Sequence, residues 1–133
     1  MNIIQTVRGQ CQGLVLGWGV PEEQNQTLVE IFPRWALTFT PRAPAFVTFD
    51  DYANARRETR VPREHPVIAL GIGEGCTAIR CLAVSGFLNV AKFVTIQRPQ
   101  VPEKDLWIWE RVKDRLLVLD TFDPAALVAS LKS

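Results

Sequence analysis

The sequence predicts a single α+β domain spanning residues 1–133, with a mainly antiparallel curved sheet or a partly open barrel. Two or three short helices are expected, at about 21–32 and 124–132 among them. Three observations lead there. The 133 residues suffice for one core, because a second would leave each half too little buried surface to offset its ordering entropy. Nine Pro and eight Gly scattered along the chain indicate many turns between short elements and argue against a helical bundle. Apolar residues at 47% and charged residues at 22% are the composition of a folded chain, unlike the low hydrophobicity and high charge of disordered ones.

Taken in order, residues 11–20 (CQGLVLGWGV) are apolar, with Gly at 13, 17 and 19, which suits a curved core strand that admits close backbone approach. PEEQNQTLVEIF opens with Pro21 and two Glu, and Leu28, Ile31, Phe32 and Trp35 then recur at helical spacing, so a helix is expected over about 21–32. Pro33 stops it. In RWALTFT, Trp35, Leu37 and Phe39 alternate as on a half-buried strand. The turn at 41–44 then joins it to a partner strand at 45–49 in an antiparallel hairpin.

Residues 50–60 read either as a short surface helix capped by Asp50 or Asp51, or as an extended loop. VIALGI (67–72) is a continuous apolar run and a central strand. From 73 onward two periods compete. Gly73-Glu74-Gly75 as a hairpin turn into a second strand is preferred to a buried helix begun at Thr77. VAKFVTIQ (90–97) is β-branched and aromatic, hence a strand. Residues 103–119 are expected as a second hairpin turning at Lys113 and Asp114, because LLVLDTF resembles a strand; a helix opening at Pro102 is the alternative. Asp123 as N-cap and Pro124 as first helical residue start the last helix, over about 124–132.

A formal net charge of +1 provides no global field toward nucleic acid, membrane surface or acidic substrate. The longest uncharged run, residues 9–21, is thirteen residues, short of the roughly 20 apolar residues a membrane span needs. The start, MNIIQTVRGQ, has no basic region followed by an apolar one, so no secretory signal and a cytoplasmic location are expected. Cys11, Cys76 and Cys81 are odd in number and complete no four-ligand metal set. They are expected as reduced packing thiols. No cofactor motif is found: GIGEG (71–75) follows an apolar strand, but it lacks both the G-x-G-x-x-G spacing and the Gly-Lys-Ser/Thr of the phosphate loops.

The stretch TFDDYANARRETRVPREHP (48–66) holds the chain's one Tyr and one His. Arg56, Arg57, Arg60 and Arg63 offer planar forks for phosphate or carboxylate, and Tyr52 offers a ring to a base or cation. Asp50, Asp51, Glu58 and Glu64 nearly neutralise the segment, which then reads as a solvated salt-bridged surface. Asp50, Asp51, His65 and Cys76 are the residues around which a small-molecule enzyme would be built. Trp107 and Trp109 on one strand would project from the same face and mark an interface.

The enzyme signatures fail one by one. The expected function is therefore a non-catalytic accessory or adaptor protein that binds another protein, with Trp107 and Trp109 as anchors and Tyr52, Arg56, Arg57 and Arg60 around them. Binding of nucleic acid or another phosphate ligand through Arg56–Arg63 is the second reading, and the enzyme is the third. Self-association is left open.

Overall fold

A strand that is apolar at every position must be covered on both faces. The two such runs, β2 (Gly13–Trp18) and β4 (Val67–Ile72), are buried throughout and adjacent at the centre of the sheet. The computed structural model describes residues 1–44, 46–85 and 90–131. The remaining strands are β1 (Asn2–Gln5), β3 (Trp35–Thr40), β5 (Val90–Ile96) and β6 (Leu116–Leu119), giving one open sheet of order β1-β3-β2-β4-β5-β6. Its helices are α1 (Asn25–Ile31), α2 (Phe49–Thr59), α3 (Cys76–Ser85), α4 (Leu106–Arg111) and α5 (Pro124–Leu131). Helices around one open sheet make the α+β unit that the composition predicts. Among the described residues no helix is long and apolar enough to cross a membrane.

The sense of strand pairing departs from the mainly antiparallel expectation. Only the β1–β3 pair is antiparallel; β2–β3, β2–β4, β4–β5 and β5–β6 are parallel. Three expected hairpins are in fact crossovers. The strand expected at 45–49 is extended chain leading into α2, with residue 45 outside the described residues. The strand preferred after residue 75 is α3, with residues 86–89 outside them. The hairpin expected over 103–119 is a 3₁₀ turn, α4, a second 3₁₀ turn and β6. Parallel neighbours need such long returns, because a tight turn can only reverse the chain.

The cost of burying Arg80 decides α3. Alternation would place Arg80 on one face with Ala78 and Leu82, whereas the helical period buries Ala78, Ile79, Leu82 and Ala83 and turns Arg80 outward. The same period in the next segment buries Asp105, Ile108, Trp109 and Val112. The expected first helix is a 3₁₀ turn at Glu22–Gln24 running into α1. The last is α5, begun by Asp123, whose Oδ1 accepts from the Ala125 and Ala126 amides at 3.1 and 3.3 Å; residue 132 lies outside the described residues. Thr48, rather than Asp50 or Asp51, caps α2: its hydroxyl accepts from the Asp51 amide at 3.3 Å, and Asp51 accepts from the Thr48 amide at 2.8 Å.

Alternate residues of the central strands feed two cores. Leu14, Leu16, Trp18, Val67 and Ala69 pack with residues of α2, α3 and α4, while Val15, Ile68, Leu70 and Ile72 pack with Leu28 of α1 and Leu127 of α5. The sheet is thus covered on both faces. At its carboxyl edge the turns after β2 and β4 meet backbone to backbone. A Cβ on Gly19 would stand 2.5 Å from the Ile72 carbonyl oxygen and 3.1 Å from Gly75 Cα, and a Cβ on Gly75 would enter the Trp18 carbonyl.

Gly73 differs: its φ of +57° is left-handed, but a Cβ there would meet nothing within 4 Å. Gly75→Ala should therefore lose at least about 3 kcal/mol in urea titration, the upper part of the overpacking range, and Gly73→Ala about 1–2 kcal/mol, the left-handed cost alone. Equal losses at the two positions would contradict the contact.

Candidate functional site

The turn Gly71-Ile72-Gly73-Glu74-Gly75 carries the chain from the central strand β4 into α3 in five residues. Gly71 must be small because a Cβ would sit 2.6 Å from Ile79 Cγ1, and Gly75 because of Trp18. Between them Gly73 faces open space in the left-handed conformation. A strand-to-helix turn with small residues on either side is how a nucleophile is lifted clear of a parallel sheet. Here the raised residue is a glycine and carries no side chain, while Glu74 beside it is exposed.

The nearest thiol does not substitute for it. Cys76 is buried, its Sγ donating to the Gly71 carbonyl at 3.4 Å and lying 3.7 Å from that of Ile96. Burial pushes the thiol up to about 11, outweighing the Ile96 hydrogen bond and the charge of Arg98. A protonated thiol is a poor nucleophile. His65, the proposed activating partner, precedes β4 while Cys76 follows it. A six-residue strand separates them by about 20 Å. Asp50 and Asp51 lie in the first turn of α2, engaged in or beside its cap. The four residues of the enzyme reading do not converge. Among the described residues no three His, Cys, Asp or Glu side chains are grouped to hold a metal.

The arginine segment has an internal use that the sequence did not suggest. Tyr52, Ala55, Arg56 and Thr59 share the inner stripe of α2, and Arg56 is only 7% exposed. Its Nε donates to the Tyr52 hydroxyl, its Nη1 to the Pro62 carbonyl, and its Nη2 to the His65 carbonyl at 2.8 Å. The guanidinium also lies 5.1 Å from the Tyr52 ring centroid. One side chain therefore satisfies the loop from α2 to β4 and is unavailable as an interface rim. Arg57 is exposed and donates to Asn54 Oδ1. Arg60 is exposed in the left-handed position that ends α2.

Trp107 and Trp109 part company because α4 is helical. Trp109 is 8% exposed and packs in the core beneath Arg98, whose guanidinium carbon lies 4.6 Å from a ring centroid of the indole. Trp107 is 56% exposed, beside Leu106 at 53%. Around them runs a groove of about 500 Å³ lined by Leu106, Trp107, Trp109 and Leu116, with Arg98, Glu110 and Lys113 at its rim. Glu110 and Lys113 pair at 2.5 Å, and the Glu110 carboxylate raises the Lys113 pKa. On the inner side Arg80 makes a two-pronged bond to Asp105, at 2.9 and 2.8 Å, tying α3 to the start of α4. That hydrogen-bonded guanidinium holds the Asp105 carboxyl below its ordinary range. Leu106 was missed by the sequence reading; the helical period 105, 108, 109, 112 was the signal that points it outward.

Comparison of the chain with protein-family models, curated proteins and solved structures finds no match. The functional reading therefore rests on the side chains just described.

Because folding raises the Cys76 pKa from its ordinary value near 9 to about 11, the neutral thiol stabilises the fold fully below about pH 9, and that contribution fades as the pH climbs through the raised value. At about pH 8 iodoacetamide should leave Cys76 unmodified in the native protein and modify it on unfolding. Alkylation of Cys76 at the rate of an exposed thiol, read by peptide mass spectrometry, would contradict the burial.

Proposed function

We propose that this chain is a non-catalytic accessory protein of the cytoplasm that binds another protein through the groove beside α4. The observation that carries the reading is the exposure of Trp107 and Leu106 over a groove floored by Trp109 and Leu116. Large apolar side chains ringed by charged ones are the anatomy of a protein-binding patch, and Trp and Arg dominate the energetics of such patches. The occupant is a segment presenting an apolar side chain to Trp107 and a carboxylate to Arg98. Arg98 is suited to that role because its stacking on Trp109 holds the fork in place before the partner arrives. Support for a non-catalytic role comes from the glycine at position 73, where such a turn would carry a nucleophile, and from the protonated, buried Cys76.

Compared with the set expected from sequence, Trp107 remains the anchor and Trp109 becomes the floor. Tyr52, Arg56 and Arg57 lie on α2 and Arg60 just past its end, all outside the groove lining. The test uses a photo-crosslinking aromatic residue at position 107, expressed in the native cells. A discrete protein adduct is expected, lost with Leu106→Asp. Trp107→Ala should weaken the purified partner at least tenfold, about 1.4 kcal/mol, without moving the melting temperature. Undiminished binding by the Trp107→Ala, Leu106→Ala double variant would sink the reading.

A further inference from the structure

At the opposite edge of the sheet, where the parallel strands begin, lies a cavity of about 650 Å³. Its walls come from two connections: residues 6–11 between β1 and β2, and the end of α2 with the loop into β4. The titratable and charged side chains in its lining are Arg8, Arg60, His65, Glu58 and Cys11. We propose that this cavity binds a small molecule bearing an oxyanion, a carboxylate or phosphate monoester, held by Arg8, Arg60 and the ring of His65.

His65 also lines the cavity. Its Nδ1 is covered by protein atoms and has no hydrogen-bond partner among the described residues, so a ligand reaches it only when the ring turns. A buried polar nitrogen without a partner is unfavourable, and turning the ring to meet an oxyanion would relieve that cost. The surroundings fix the backbone there. The His65 amide donates to the Pro62 carbonyl at 3.1 Å, its carbonyl accepts from Arg56 at 2.8 Å, and the next carbonyl, of Pro66, accepts from the Leu14 amide at 3.0 Å. With the backbone held on both sides, only the ring itself is left to order when a ligand binds.

Charge selects the ligand. Arg8 and Arg60 face a single carboxylate, Glu58, so the lining carries a positive excess even with His65 neutral. Among the described residues His65, Cys11 and Glu58 are not grouped to hold a metal. The residue at 60 adds a separate indication. It ends α2 at φ +58°, a position where glycine avoids the left-handed penalty and is usually found. An arginine there sacrifices backbone comfort and places a guanidinium on the cavity wall. The site is independent of the groove at α4, and neither proposal needs the other.

His65 is the chain's one histidine, so its ring nitrogens give an unambiguous ¹⁵N NMR signal. The protein is titrated with inorganic phosphate and, separately, with succinate. The His65 ring shift should saturate with at least one of them, with a dissociation constant at or below about 1 mM; which one saturates separates the phosphate from the carboxylate source. Arg8→Ala and Arg60→Gly should each weaken binding at least tenfold. Arg60→Gly should also raise the melting temperature, which separates lost binding from lost folding. As a second measurement, the saturating anion should slow alkylation of Cys11. A linear, unsaturating shift with both anions, or unchanged affinity in both variants, overturns the proposal.

Discussion

The structure depends on the close approach of two backbones at the centre of the sheet. β2 and β4 run side by side and parallel, and the turns that leave them are in contact at Gly19 and Gly75. Parallel pairing forbids a short return, so the connections between successive strands from β2 to β6 each carry a helix. Together with α5, which follows β6, those helices divide between the two faces, α1 and α5 against one and α2, α3 and α4 against the other. The two-sided cover in turn requires the central strands to be apolar at every position.

The same geometry sorts the polar groups. Side chains that look reactive in sequence are used to hold connections: Arg56 closes the α2-to-β4 loop, Arg80 with Asp105 ties α3 to α4, and Lys92 donates to the Ser130 carbonyl to dock α5. The carboxyl edge, where open parallel sheets usually bind ligands, is closed at its centre by the glycine contact and raises only Gly73. The two sites proposed for recognition lie at the margins. One margin is the apolar groove at α4 beside the edge strand β6, and the other is the positively lined cavity beneath α2.

Much of this was legible in the residues, and the errors have one physical origin. Each strand assigned at 11–20, 35–40, 67–72 and 90–97 exists, as do the helices opened by Pro21 and by Asp123-Pro124. VIALGI and GLVLGW carried a further signal in their lack of alternation, the mark of strands covered on both faces. Weighing that signal would have required helices between them. Cys76–Ser85 and Leu106–Arg111 were misjudged because short apolar runs fit either period. The charges in and beside them carry the signal: Arg80 on α3 pairs with Asp105 at the start of α4, which leaves neither charge buried alone. Pro102-Glu103-Lys104-Asp105 opens a helix as Pro21-Glu22-Glu23-Gln24 does, through one 3₁₀ turn. The burial of Arg56 was not legible, since its partners are carbonyls whose positions no residue pattern records.

The most direct measurement is the nuclear Overhauser contact between the α-protons of Gly19 and Gly75. A strong cross-peak between these residues, 56 positions apart in the chain, is the expected result, because only the adjacent parallel strands β2 and β4 bring their turns together. If both glycines are assigned and the peak is missing, while residues 67–72 show cross-strand α-proton contacts to 76–81 as in a hairpin, the account is wrong at its centre.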